Sequence, residues 1–173
     1  MLISFRELNK KPGPMEEEGL VTLEGLEKEH PDLLHLDPLR VHVTAWKDQG
    51  LYQVQGRQES KGQFRCSRCL TSFERPLTMD WFELFTTDED RARESEEEDQ
   101  EIRLAAVDRP TDLTPYIRES LLLNLPFAPV CQEDCKGLCP TCGTNWNYET
   151  CQCDNRVVDP RLAKLEELLK RDD

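Results

Sequence analysis

The residues of this chain whose type and spacing could do chemistry are its eight cysteines. Six lie between Val130 and Cys153, in VCQEDCKGLCPTCGTNWNYETCQC: Cys131, Cys135, Cys139, Cys142, Cys151 and Cys153. The other two, Cys66 and Cys69, stand in Cys-Ser-Arg-Cys about sixty residues upstream. Structural zinc takes four ligands, and a short spacer between paired cysteines lets both sulfurs reach one ion at about 2.3 Å. The first expectation is therefore two four-cysteine zinc sites, one local and one joining distant parts of the chain.

The pairs divide as follows. Cys139-Pro-Thr-Cys142-Gly143 is a strong knuckle, because a glycine after the second cysteine permits the turn its backbone needs. Its nearest downstream pair is Cys151-Gln-Cys153, and the loop between them is long enough to close a tetrahedron. Cys66 and Cys69 then go with Cys131 and Cys135. Other readings stay open on spacing alone: a single site at Cys139 to Cys153 with four reduced thiols elsewhere, inert buried thiols, a disulfide set, a redox Cys-x-x-Cys, or an iron–sulfur cluster, since four thiolates do not choose the metal.

Catalytic patterns are scarce. There is no phosphate loop, no Gly-x-Ser-x-Gly and no His–Glu pair at helical spacing. His30, His35 and His42 have no metal spacing to one another, and Asp112 reads as a helix cap. Zinc held by four thiolates lacks the open position that metal catalysis needs. The reading is of a protein that is not an enzyme and has no small-molecule substrate.

The elements that must position the cysteines come from 173 residues, 37 % hydrophobic and 33 % charged, a composition that implies a modest core helped by metal. The formal net charge is −13, and eight thiolates with two Zn²⁺ would make it more negative by four. Such a chain is repelled by nucleic acid unless its basic residues gather on one face. No basic start precedes an apolar run and no stretch approaches a membrane span, so a cytoplasmic address is expected, where structural disulfides are rare.

Met1 to Leu8 alternates weakly, as an edge strand would. Lys10 to Glu18 reads as a turn followed by acid, and Leu20 to Leu36, broken by Pro31 and Pro38, is undecided. Val41, Val43 and Ala45 alternate with His42 and Thr44 at strand period two. Asp48-Gln49-Gly50 is a turn, and Tyr52 and Val54 alternate with Leu51, Gln53 and Gln55 in a second strand, giving a hairpin. Leu70 to Phe85 continues away from Cys69 with Phe73, Leu77, Met79 and Trp81 in one phase, so Cys66 and Cys69 sit at the tip of two strands. Asp88 to Glu101 holds nine acids against Arg91 and Arg93 and reads as a mobile loop. Ile102 to Val107 suits a strand. Pro115 near a helix start, Asp112 or Thr114 as cap and Pro126 as stop predict a helix from Thr114 to Leu125, with Leu113, Ile117 and Leu121 on its packed face. Asp159-Pro160 opens a last helix with a leucine stripe.

This combination resembles one family. Cys66-Ser-Arg-Cys69-Leu70 after a hairpin, an acidic loop, Leu113 to Pro126, Cys131 to Asn145 and Asp159 to Leu165 are together similar to the YceD family, bacterial and plastid proteins named for accumulation of the large-subunit ribosomal RNA. The resemblance spans roughly Leu39 to Leu169. It implies a role in producing or stabilising 23S-type RNA and implies no catalytic residues. In some relatives the positions matching Cys131 and Cys135 look like histidines and the later four cysteines are missing, which suits the division into two sites.

The expected architecture is α+β: a small antiparallel sheet or open barrel packed by one or two helices, with a zinc-bound C-terminal appendage. Residues 1–130 would form the core with the Cys66/Cys69 knuckle and the acidic loop 88–101, and residues 131–173 the cysteine-rich module and last helix. The expected function is a non-enzymatic ribosome-biogenesis factor, scaffolded by about two zinc ions, whose partner is ribosomal RNA, a large-subunit ribosomal protein or a pre-ribosomal particle. Arg65, Arg68, Arg75, Lys136 and Arg156 are the candidate phosphate contacts. The alternative is an acidic chaperone or adaptor for a basic ribosomal protein.

Overall fold

The computed structural model describes residues 1–10, 12–95, 101–106 and 108–155. Its centre is β5 (Leu51–Arg65), a strand of 15 residues. β4 (Leu39–Asp48) pairs antiparallel with its first part through Asp48↔Leu51, leaving Gln49 and Gly50 as a two-residue loop. Both have positive φ, 48° and 82°, the left-handed pair that matches the twist of a hairpin. β6 (Ser72–Thr86) pairs antiparallel with β5 over its length, from Tyr52↔Phe85 to Arg65↔Ser72. The hairpin expected around Asp48 to Gly50 is thus formed, and a second and longer one carries Cys66 and Cys69 at its tip.

Burial on these strands follows the alternation. Leu39, Val41, Val43 and Ala45 are fully buried, as is Val54. Gly56 is required where it stands: a Cβ there would lie 2.0 Å from Trp81 Cε2. Gln58 continues the buried phase as a polar residue, and its Nε2 donates to the Ile117 carbonyl at 3.0 Å.

Several segments differ from the sequence expectations. β1 (Leu2–Ile3) is only two residues long and pairs with β8 (Thr111–Asp112), after which Ser4 caps the short helix α1 (Phe5–Leu8). The acid after Lys10 is not a loop. Glu16, Glu17 and Glu18 lie in β2 (Met15–Val21), which pairs antiparallel with β4 and tolerates charge because it is the sheet's edge. The undecided Leu20 to Leu36 region resolves into the end of β2, the helix α2 (Leu26–Glu29) and β3 (Leu33–Leu36), which pairs with β5 beyond the end of β4.

The acidic stretch is also more ordered than expected. Glu89–Glu94 is a helix, α3, because Asp88 Oδ1 accepts from the N–H groups of Asp90 and Arg91 at 3.0 and 3.3 Å. The Arg91 guanidinium donates to the Gln49 carbonyl, which anchors α3 on the β4–β5 turn. Residues 96–100 of that stretch lie outside the described residues. β7 (Ile102–Leu104) then joins β6 in parallel, so the six-stranded sheet is antiparallel except at this pair.

α4 (Thr114–Asn124) is the predicted helix, one residue shorter. Asp112 Oδ1 accepts from the Thr114 N–H at 3.0 Å and from its hydroxyl at 2.7 Å, which also holds the Asp112 carboxyl below its ordinary value. Leu113, Ile117 and Leu121 are buried against the sheet in one core with Phe5, Phe64 and Phe85. Phe5 stacks on Tyr52 with ring centroids 4.6 Å apart. The expected helix from Asp159 lies outside the described residues, as does Arg156. Among the described residues no helix is long and apolar enough to cross a membrane.

Candidate metal centres

At the tip of the β5–β6 hairpin the chain turns through Cys66 to Thr71. Cys66 N–H donates to the Thr71 carbonyl and Leu70 N–H to the Cys66 carbonyl, both at 2.9 Å. Leu70 takes φ 59° to make this turn. Residues 139–144 repeat the geometry: Cys139 N–H to Thr144 O at 2.8 Å, Gly143 N–H to Cys139 O at 2.9 Å, and φ 75° at Gly143. The threonine hydroxyls match as well, with Thr71 Oγ1 at 3.4 Å from Cys69 Sγ and Thr144 Oγ1 at 3.1 Å from Cys142 Sγ. The chain therefore contains one knuckle twice, Cys-x-x-Cys-x-Thr. The shared threonine is a sequence signal that counting cysteines overlooks.

The segment leaving α4 docks on the first knuckle. Ser67 N–H and Oγ–H both donate to the Pro129 carbonyl, at 2.8 and 3.0 Å. This delivers Cys131 and Cys135 to Cys66 and Cys69, and the four sulfurs lie within 4.8 Å of one another. Cys139, Cys142, Cys151 and Cys153 form a second group under the same limit. We call them the inner and outer centres, since Cys66, Cys69 and Cys135 are buried, whereas Cys142 is exposed and Cys151 and Cys153 are half-buried.

The spacing suits a single ion in each. Metal–sulfur bonds of about 2.3 Å put the corners of a tetrahedron about 3.8 Å apart. Cys66 and Cys135 sulfurs are 3.8 Å apart, and those of Cys69 and Cys131 are 3.6 Å apart. These distances far exceed a disulfide bond of about 2.05 Å, and none of the eight cysteines is in a disulfide. An iron–sulfur cluster spreads its cysteine sulfurs further, because iron and sulfide ions lie between them.

Charge is distributed unevenly among the thiols. Burial pushes the Cys66 thiol up, but the backbone N–H groups of Cys69, Cys131 and Arg68 outweigh it and bring it down to about 6. Burial and the adjoining thiols push Cys131 up to about 12. In the outer centre the Cys142 N–H chiefly brings Cys139 down to about 6, while hydrogen bonding with Cys142 and burial push Cys153 up to about 12. Four sulfurs this close cannot all carry charge unless a cation sits among them.

Further side chains donate to sulfur, and spacing did not single them out. Asn147 Nδ2 donates to Cys135 Sγ at 3.4 Å, Trp146 Nε1 to Cys151 Sγ at 3.3 Å and Asn155 Nδ2 to Cys139 Sγ at 3.5 Å. Such outer contacts fix ligand orientation in metal sites. The predicted basic residues fare differently. Arg65, Arg75 and Lys136 are exposed. Arg68 is committed to structure: its guanidinium donates to the carbonyls of Glu133 and Cys135 at 3.1 and 3.0 Å, and its own carbonyl accepts from Leu138 N–H. It is a strap across the inner centre, so reversing its charge would disturb that centre as well as any phosphate contact.

A β-rich fold with a helix across its sheet and paired four-cysteine centres beyond the hairpin tip defines a protein with a metal-type cysteine appendage. The chain belongs to the YceD family: residues 54–169 match the model of the large ribosomal RNA subunit accumulation protein YceD. An uncharacterized protein of Mycobacterium tuberculosis is 34 % identical over 176 residues, covering 98 % of this chain and 81 % of its own. The uncharacterized protein YlbN of Bacillus subtilis is 33 % identical over 156 residues, covering 88 % of this chain and 87 % of its own. The chloroplastic large ribosomal RNA subunit accumulation protein YCED homolog 1 of Zea mays is 36 % identical over 73 residues, 42 % of this chain and 25 % of its own. No solved structure matches the chain.

Proposed function

We propose that this chain is a non-enzymatic, cytoplasmic ribosome-biogenesis factor that supports accumulation or processing of large-subunit (23S) ribosomal RNA. The observation that carries the reading is family membership over residues 54–169, a span that contains all eight cysteines. In this reading Cys66, Cys69, Cys131 and Cys135 hold one Zn²⁺, and Cys139, Cys142, Cys151 and Cys153 hold another. Four thiolates per ion leave no open coordination position, which favours scaffolding over catalysis. Residues 1–130 serve as the core and residues 131–173 as the cysteine-rich module whose placement the inner ion secures.

The contact face lies around the first knuckle. Leu70 and Phe127 are large apolar side chains left exposed on the segments that the inner centre joins, and Tyr148 is exposed in the loop between Cys142 and Cys151. Aromatic side chains of this kind stack on unpaired bases, and Arg65, Arg75 and Lys136 are the exposed cations available for phosphates. The formal charge of −13 favours the other reading, an adaptor for a basic ribosomal protein, with α3 contributing.

Elemental analysis should find two zinc ions per chain, with Cys66→Ser losing one and Cys139→Ser the other; a single zinc would sink the two-site assignment. Binding to large-subunit RNA fragments should weaken with rising salt and fall in Arg65→Glu and Lys136→Glu. No affinity at low salt, with a basic ribosomal protein still captured, would transfer the function to the adaptor reading.

A further inference from the structure

Two adjacent residues donate to sulfurs of different centres. The Trp146 indole N–H points to Cys151 of the outer centre, and the Asn147 amide points to Cys135 of the inner one. Both sit in the loop that the outer centre closes, between Cys142 and Cys151. The Asn147 amide has one possible orientation. Its Oδ1 accepts the Lys136 backbone N–H at 2.8 Å, so Nδ2 must face the sulfur. Its two N–H bonds are both used, one on Cys135 Sγ and one on Asn145 Oδ1 at 2.7 Å. The loop itself is pinned near the inner centre by Trp146 N–H on the Gly137 carbonyl at 3.0 Å. Gly137 in turn packs against the first knuckle, where a Cβ would lie 3.0 Å from the Arg68 carbonyl oxygen.

The geometry points to a coupling between the centres, with Asn147 as the positioning residue that carries it. Cys135 is 4 % exposed, so water cannot readily replace a lost donor at its sulfur. An N–H donor beside a metal-bound sulfur spreads its negative charge and fixes its direction toward the ion. Closing the outer centre holds the loop and so holds that donor in place. Opening it releases Asn147 and makes the inner metal more labile. The inner centre is thus protected twice, by burial and by the filling of the outer one. The outer centre, with Cys142 exposed, is the one a chelator reaches first.

This inference rests on the metal reading above, and the two fail differently. The full chain, loaded with Zn²⁺, is mixed with a chromogenic chelator and metal release is followed in time. Two phases are expected, a fast one from the outer centre and a slow one from the inner. Asn147→Asp keeps the size and the acceptor for Lys136 N–H but loses the donor. It should accelerate the slow phase about tenfold or more, as loss of a hydrogen bond to a metal ligand does, and leave the fast phase unchanged. Asn147→Ala should do the same. Emptying the outer centre with Cys151→Ser plus Cys153→Ser should accelerate release of the remaining ion, and adding Asn147→Asp should accelerate it little further, since both changes remove one interaction. A cobalt-loaded inner centre should show a shifted sulfur-to-metal charge-transfer band in Asn147→Asp, which loss of packing elsewhere would not produce. Two bound ions with an unchanged slow phase in Asn147→Asp would overturn the coupling and leave the metal reading intact. A wild-type chain that takes up no metal would overturn both.

Discussion

At residue scale the two knuckles solve one backbone problem with different residues. Position five of each needs a left-handed residue. Gly143 takes φ 75° freely, whereas Leu70 holds φ 59° with its side chain 60 % exposed. A left-handed L-residue costs about 1–2 kcal/mol, and glycine loses about 0.5–1 kcal/mol more backbone entropy on folding. Leu70→Gly should therefore raise stability by up to about 1 kcal/mol, while Gly143→Leu should lower it by a similar amount; chemical denaturation of the loaded protein reads both. The thiols make a second residue-scale prediction. At pH 7 Cys66 and Cys139, at about 6, are mostly ionised, while Cys131 and Cys153, at about 12, keep their protons. Metal uptake must then release protons at pH 7, and must displace more of them at pH 5, below the lowered values. Metal-derived stability therefore already declines as pH falls through 7, because Cys131 and Cys153 must give up protons, and declines more steeply below about pH 6, where Cys66 and Cys139 are protonated as well. Calorimetry in buffers of different ionisation enthalpy gives the proton count; a count that does not rise on acidification would contradict it.

At the scale of elements, α4 links core and centres. Its face of Leu113, Ile117 and Leu121 lies on the sheet, and its C-terminal exit carries the chain through Pro129 to Cys131. Ile117 is fully buried and its carbonyl accepts from the buried Gln58. Ile117→Ala should cost about 2–5 kcal/mol, read as a lower denaturation midpoint, with metal stoichiometry kept in whatever remains folded. The helix was legible in the sequence because its cap, proline positions and apolar face all agree. β4 and the start of β5 were legible because one face is buried and the other is wet. β2 was hidden, since Glu16 and Glu18 are exposed and little of the edge strand needs to be apolar. α3 was hidden because its order comes from the Asp88 cap and the Arg91 contact with a distant turn, while its composition argues for a loop.

At the scale of the molecule, the sheet has its own core and the inner cysteine centre has another. Cys66, Cys69 and Cys135 pack with Val130 and Leu138 apart from the main apolar cluster, and Phe73 touches both. Chelation should accordingly loosen residues 131–155 and the hairpin tip while leaving the sheet folded. Hydrogen exchange should show protection lost at the knuckles and kept on β4 and the first part of β5; global unfolding on metal removal would contradict separate cores.

The sequence by itself determined the cysteine pairs, the central hairpin and the packed face of α4; that the pairs gather into two groups of four rests on the fold. Each depends on spacing or periodicity along a short stretch, which local geometry turns directly into structure. Tertiary structure alone decided the rest: that Arg68 is a strap over carbonyls, that β7 joins in parallel, that the acidic stretch begins as a helix, and that Trp146 and Asn147 serve different centres. Those facts depend on which distant segment docks where. A hydrogen bond from an amide to a sulfur has no periodicity to announce it and exists only once the Ser67–Pro129 and Gly137 contacts have brought the two knuckles together.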